Sequence, residues 1–221
     1  LIEQEPGNAE LLYEYGNFWA ATGEFEHAIS NYRKSIEADP KNFNAFANLG
    51  NILAYTDQLD EALQAFGKAL KINPSNPDAH FCVGNINYRL GDRKKAIDSF
   101  QRAVELNPSH TDALCNLGCV LTEDKQSDEA LSVFKQVLQQ KPDDAEILNN
   151  LANIYYELGS LEQSQKYYEQ VISVSPSDSD AYNNLGAILL ESNEIDEAEK
   201  QYKKAVELNP NDVVAYNNLG C

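Results

Sequence analysis

The chain has 221 residues, 43% of them apolar, enough for one or two globular domains or one long solenoid and too apolar for a disordered chain. Lys and Arg number 17 against 35 Asp and Glu, a formal charge of −18 that repels phosphate backbones and anionic lipid surfaces and excludes general nucleic-acid binding. No run approaches the roughly 18 consecutive apolar residues of a membrane span, so membrane insertion is excluded too. The segment Leu1–Pro6 carries neither the basic region nor the apolar run of a signal peptide.

The prolines organise the chain. Seven of the eight stand at Pro6, Pro40, Pro74, Pro108, Pro142, Pro176 and Pro210, each interval being 34 residues. A fixed period of this size marks stacked repeats. With Pro as position 32, full repeats run 9–42, 43–76, 77–110, 111–144, 145–178 and 179–212, with partial repeats 1–8 and 213–221, all in one array from 1 to 221.

Within each repeat, apolar residues at positions 4, 7, 8 and 11 predict a first helix, A. Those at 17, 20, 21, 24, 27 and 28 predict a second, B. Position 8 is Gly16, Gly50, Gly84, Gly118, Ala152 and Gly186; position 20 is Ala28, Ala62, Ala96, Ala130, Ser164 and Ala198. Small residues at both let the two helices approach closely. Position 24 is aromatic throughout (Tyr32, Phe66, Phe100, Phe134, Tyr168, Tyr202) and fills the space beside them. Between the helices, position 15 carries Gly23, Asp57, Gly91, Gly159 or Asn193, residues that tolerate the left-handed backbone that ends a helix. Lys125 breaks that rule and predicts a strained turn. Pro at position 32 stops helix B.

The pattern Trp/Leu-x2-Leu-Gly-x2-Tyr, then Ala-x3-Phe-x2-Ala, then Pro, every 34 residues, resembles the tetratricopeptide repeat over essentially the whole chain. The resemblance implies an all-α fold, a right-handed superhelical solenoid of antiparallel helix pairs, with helix A lining the concave face. Residues 1–5 read as the end of a preceding helix B and 213–221 as the start of another helix A, so self-association through uncapped ends is expected. The chain holds no Met and reads as a segment of a longer protein. Its four cysteines are too few for a disulfide framework, which points to a reducing, cytoplasmic setting.

The concave face that the resemblance implies is rich in Asn. Position 6 carries Asn48, Asn116, Asn150, Asn184 and Asn218, with Glu14 and Cys82 as exceptions; position 9 carries Asn17, Asn51, Asn85 and Asn153. Asn is a mediocre helix former, so nine at two positions need a reason. An amide both donates and accepts, so a row of them can hold the peptide units of an extended ligand whatever its side chains. The row resembles the asparagine ladder of O-GlcNAc transferase superhelices and, more loosely, of kinesin light chains. The alternative is that position-6 Asn bonds the backbone of a neighbouring helix and knits the stack. Peptide-binding candidates are Asn17, Asn48, Asn51, Asn85, Asn116, Asn150, Asn153 and Asn184, with Tyr13, Phe81 and Tyr156 as aromatic contacts.

Positions 1–14 of the six repeats hold ten acids and one base, Arg89, so a neutral to basic protein or peptide partner is expected. Acids at position 2 also favour the helix N-terminus, by roughly 0.3–1 kcal/mol each. Positions 2, 5 and 6 carry no Lys or Arg, so the carboxylate clamp with which some tetratricopeptide domains hold acidic chaperone tails is absent. The bases of helix B (Arg33, Lys34, Arg93, Lys94, Lys95, Arg102, Lys203, Lys204) read as solvated faces pairing with acids at i,i+4.

Cys82, Cys115 and Cys119 lack the ligand count of a metal site and read as small packing residues whose acidic surroundings raise the thiol pKa. His27, His80 and His110 occupy three different repeat positions, and His80 reads as a satisfied packing residue. No phosphate loop or nucleophile motif stands outside the repeat, so no cofactor and no catalysis are expected. The readings left are a scaffold holding a partner segment, an architectural subunit that packs through helix B faces and ends, and the substrate-reading arm of an O-GlcNAc-transferase-like enzyme.

Overall fold

The structure, a computed structural model, describes residues 7–220. The expected helix turn over 1–5, with Leu1 and Ile2, and the last residue Cys221 lie outside the described residues. The described residues form thirteen helices and no strand. The first helices of the repeats are α1 (Ala9–Ala21), α3 (Phe43–Tyr55), α5 (Pro77–Arg89), α7 (Thr111–Glu123), α9 (Ala145–Glu157), α11 (Ser179–Glu191) and α13 (Val213–Leu219). The second helices are α2 (Phe25–Ala38), α4 (Leu59–Ile72), α6 (Arg93–Leu106), α8 (Ser127–Gln140), α10 (Leu161–Val174) and α12 (Ile195–Leu208). They divide into two compact units, one ending at Val120 and one beginning at Leu121.

Each helix A starts at position 34, which sequence periodicity left unread. Asn8, Asn42, Asn76, Asp144, Asp178 and Asp212 accept a hydrogen bond from a first-turn amide with the side chain, satisfying donors that the helix leaves open. His110 stands in the same column, with Nδ1 accepting from the Ala113 amide at 3.3 Å. Each A–B turn passes through a left-handed residue at position 15: Gly23, Asp57, Gly91, Lys125, Gly159 and Asn193, all at φ between 63° and 82°. Lys125, at φ 63°, takes the conformation its neighbours in the column take, at the steric cost a side chain with Cβ carries there.

In the first unit, α1 packs on α2, α3 on α4 and α5 on α6, and α2 and α4 pack on the following α3 and α5. Its core joins Tyr32, Leu49, Leu53, Phe66 and Ile86. In the second unit, α9 packs on α10 and α11 on α12, and the core joins Leu148, Tyr168, Leu185, Leu189 and Tyr202. The small positions have the expected purpose. A Cβ on Gly16 would sit 2.4 Å from the ring of Tyr32, and one on Gly84 2.5 Å from Phe100. The position-24 aromatics are buried in every repeat. Buried hydroxyls are satisfied by backbone: Ser35 Oγ donates to the Ala9 carbonyl and Ser164 Oγ to the Ala152 carbonyl, both at 2.7 Å.

Candidate functional site

The Asn residues of the A helices are brought together in pairs, position 9 of one repeat against position 6 of the next. In the first unit, Asn48 Nδ2 donates to Asn17 Oδ1 at 2.9 Å and to the Tyr13 hydroxyl at 3.2 Å. The Tyr32 hydroxyl donates to the same Asn17 oxygen at 2.9 Å. Burial raises the Tyr32 pKa, opposed by its hydrogen bond with Asn48. Asn116 Nδ2 donates to Asn85 Oδ1 at 2.7 Å. Asn51 faces Cys82, whose thiol lies 3.6 Å from its Oδ1.

In the second unit, the Tyr168 hydroxyl donates to Asn153 Oδ1 and also bonds Asn184. Burial pushes this phenol up to about 12. Asn218 has Ala187 where a position-9 Asn would be, and donates instead to Asn183 Oδ1 at 2.9 Å. Asn150 is half-buried in α9. The expectation that position-6 Asn bonds neighbouring backbone is therefore corrected. Its partners are side chains of the preceding repeat, because the stacked A helices meet edge to edge and their backbone groups are already used within each helix.

The Asn85–Asn116 pair leaves half of each amide over, whereas the Asn17 amino group of the first pair also donates to Glu14 at 3.4 Å. Among the described residues, the Asn85 amino group and the Asn116 carbonyl have no protein partner. A donor and an acceptor side by side match the two groups of a peptide unit. Asn51 and Asn153 are exposed; Asn17, Asn48, Asn85, Asn116 and Asn184 are half-buried.

Two cavities open beside the pairs. In the first unit, one of about 110 Å³ is lined by Tyr88, Phe100, Asn116, Cys119 and Val120. In the second, one of about 190 Å³ is lined by Asn153, Tyr156, Tyr168, Asn184, Ala187 and Ile188. Each of Tyr156, Tyr168, Asn184, Ala187 and Ile188 stands 68 positions after its counterpart in the first cavity, a separation of two repeats. Sequence reasoning named Tyr156 but missed Tyr88 at the same repeat position 12. It also missed that a small residue at position 9 opens the space. Of the other aromatic candidates, Tyr13 is bonded to Asn48, and Phe81 is packed between Phe100 and His110 with ring centroids 5.9 and 4.9 Å away. A larger cavity, about 250 Å³, lies between α2, α3 and α4. On its rim Arg33 pairs with Glu61 at 2.7 Å and Lys68 lies over the Phe46 ring at 5.7 Å.

The charges at the site are acidic. The single base of the A helices, Arg89, is tied to Asp57 at 2.8 Å and to the Ala54 carbonyl at 2.6 Å. In the second unit, the Tyr156 hydroxyl donates to Glu191, a bond that raises the phenol's pKa ahead of burial. The Cys82 thiol is pushed up to about 11, chiefly by burial, with Asp78 adding to it. The acidity that sequence reasoning credited is thus the smaller cause. His80 Nε2 lies 3.0 Å from the Pro74 carbonyl, satisfied as expected. On helix B, bases pair more often at i,i+3 than at the expected i,i+4: Arg102–Glu105 at 2.8 Å and Lys204–Glu207 at 2.6 Å against Lys203–Glu199 at 2.5 Å.

Helix pairs of this length, with these packing columns repeating through both units, define a tetratricopeptide array, a fold that serves as a scaffold for protein–protein interaction and is generally non-catalytic. The chain belongs to the family described as the cilia and flagella-associated protein 70 C-terminal domain, whose model matches residues 8–217. Comparison with curated proteins gives no match. Among solved structures, the C-terminal part of a TPR repeat-containing protein from Cytophaga hutchinsonii superposes with a TM-score of 0.87 at 17% identity, covering 99% of this chain and 90% of that one. Pseudomonas aeruginosa pilF gives 0.69 at 18% identity, with 95% of each chain covered. YrrB, described as a TPR protein with an unusual peptide-binding site, gives 0.57 at 24% identity, covering 100% of this chain and 96% of that one. No helix among the described residues is long and apolar enough to cross a membrane.

Proposed function

We propose that the repeats form one array whose Asn-lined A-helix face holds an extended, neutral to basic segment of a partner protein. The observation that carries this is the half-used Asn pair: the Asn85 amino group and the Asn116 carbonyl are left to a ligand's backbone. Asn17, Asn48, Asn51, Asn150, Asn153 and Asn184 extend the same row along the chain. The acid excess of the A helices selects against acidic ligands. This is the asparagine-ladder mode that the sequence resembles, and the peptide-binding site in the description of YrrB is in keeping with it. The family's description directs the search for partners to cilia and flagella, a narrower setting than the cytoplasm.

The test is selection of binding peptides from a random displayed library on the wild-type chain, followed by Asn48→Ala/Asn116→Ala/Asn184→Ala. Affinity should fall about ten-fold or more, since each lost hydrogen bond is worth roughly 0.5–1.5 kcal/mol. Far-UV circular dichroism checks that helicity is kept. The exposed pair Asn51→Ala/Asn153→Ala gives the same readout should the triple variant lose structure. Full affinity in a folded variant contradicts the proposal.

A second reading, self-association, is favoured by exposed apolar residues on α12 and α13: Ile195 at 60%, Val213 at 69%, Val214 at 58% and Tyr216 at 50% exposure. A monomer by sedimentation at high concentration sinks it.

A further inference from the structure

The cavity of the second unit has a chemistry of its own. Tyr168, 2% exposed, forms one wall, and its hydroxyl is fixed by Asn153 and Asn184. Tyr156, 38% exposed, forms the outer wall and is held in place by Glu191. Ala187, where four other repeats have Asn, leaves the floor open. The space therefore offers two aromatic rings, two amides and, through Tyr156, a carboxylate at its edge.

We infer that this cavity is a side-chain subsite for a cationic residue, above all Arg, in the segment held by the proposed Asn face; it rests on that reading. A guanidinium is planar, stacks on aromatic faces and is weakly hydrated, so it enters such a slot at lower cost than an ammonium. Its five donors match the acceptors present: the Glu191 carboxylate and the amide oxygens of Asn153 and Asn184. An aliphatic side chain would use none of those acceptors, and a carboxylate would face Glu191. Helices α9 and α11 carry Glu146, Glu157, Asp180 and Glu191 and no base, and no base lines the cavity.

The probes are blocked tripeptides, acetyl-Gly-X-Gly-amide with X as Arg, norleucine or Glu, titrated into the 221-residue chain. Binding is followed by nuclear magnetic resonance at the Ala187 methyl and the Asn153 and Asn184 side-chain amides. The Arg tripeptide should move these signals with a dissociation constant about five-fold or more below that of norleucine, the size of a cation–π contact with a charge partner. Glu should leave them still. Glu191→Gln should erase the preference for Arg, and Tyr156→Leu should abolish the response; Tyr156→Phe should keep it. Norleucine binding as well as Arg, an Arg preference that survives Glu191→Gln, or silent pocket signals would overturn the subsite. Silent pocket signals alongside tight binding of library-selected peptides sink the subsite and leave the Asn face standing. An Arg response with no library-selected binders sinks the Asn face instead.

Discussion

The two cavities beside the Asn residues share repeat positions 12, 24, 6, 9 and 10 and differ at three of them. The first-unit cavity has Phe100 as its inner wall, Cys119 and Val120 on its floor, and a volume of about 110 Å³. The second has Tyr168, Ala187 and Ile188, and about 190 Å³. With Phe100, Asn85 and Asn116 bond each other directly at 2.7 Å. With Tyr168, a hydroxyl stands between the equivalent Asn153 and Asn184. The hydroxyl at position 24 does not decide this alone: Tyr32 also bonds Asn17, yet Asn17 and Asn48 still meet at 2.9 Å, and there the next repeat has Asn51 at position 9 where the second cavity has Ala187. A repeated backbone sets where a subsite can be, and single substitutions within the column set what it takes.

The largest expected effect comes from breaking the wall of the first cavity. Gly84→Ala would put a Cβ 2.5 Å from the buried Phe100 ring, so the ring and the helix pair must shift. Overpacking of this kind costs about 1–3 kcal/mol, read as a lower midpoint in chemical denaturation. The second unit already carries Ala152 at this column, opposite Tyr168, so Ala152→Gly tests the comparison in reverse. It should cost about 1 kcal/mol through helix propensity alone.

Tyr168→Phe converts the second cavity toward the first. Loss of a buried hydroxyl bonded to two amides should cost about 1 kcal/mol. It should also change the alkaline limb of stability. A phenol held at about 12 in the fold titrates near its ordinary value when unfolded, so the unfolded chain loses its proton first. Stability from this group is whole below about pH 10 and falls as pH rises toward 12. Tyr168→Phe should flatten that fall, measured as denaturation midpoints at pH 9 to 11.5. An unchanged slope would mean the phenol is not buried as described.

The smallest effect lies in one turn of the second unit. Lys125, at φ 63°, occupies the column that holds Gly23, Gly91 and Gly159. Lys125→Gly should raise stability by up to about 1 kcal/mol by relieving the left-handed strain, read as a higher melting temperature. A fall would show that the side chain's place near Glu157, 3.9 Å away, outweighs the strain.

Much of this was legible in the residues. The proline ladder placed the helices, and the columns at positions 8, 20 and 24 named the close contacts that Gly16, Gly84 and Gly186 make with the rings opposite. Position 15 named every left-handed turn, Lys125 included. These features act within one repeat, where spacing along a helix fixes geometry. The N-cap column at position 34 was readable and passed over, with His110 hiding it among Asn and Asp. The Asn pairing was not readable in the same way. Asn48 meets Asn17 across 31 residues only because the repeats stack, and helical periodicity says nothing of how far one repeat rotates on the next. The cavities follow from that rotation combined with a small residue at position 9.

The proposed grip of the Asn row on backbone is open to a direct test. A library-selected peptide should be remade with one N-methyl group at a time along its length, each removing a single amide donor, and its affinity measured for each. Losses of about ten-fold are expected at amides held by the Asn pairs, while alanine replacement of side chains should matter little except at the basic residue. Tolerance of N-methylation at every position, with affinity carried by side chains alone, would contradict the proposed grip.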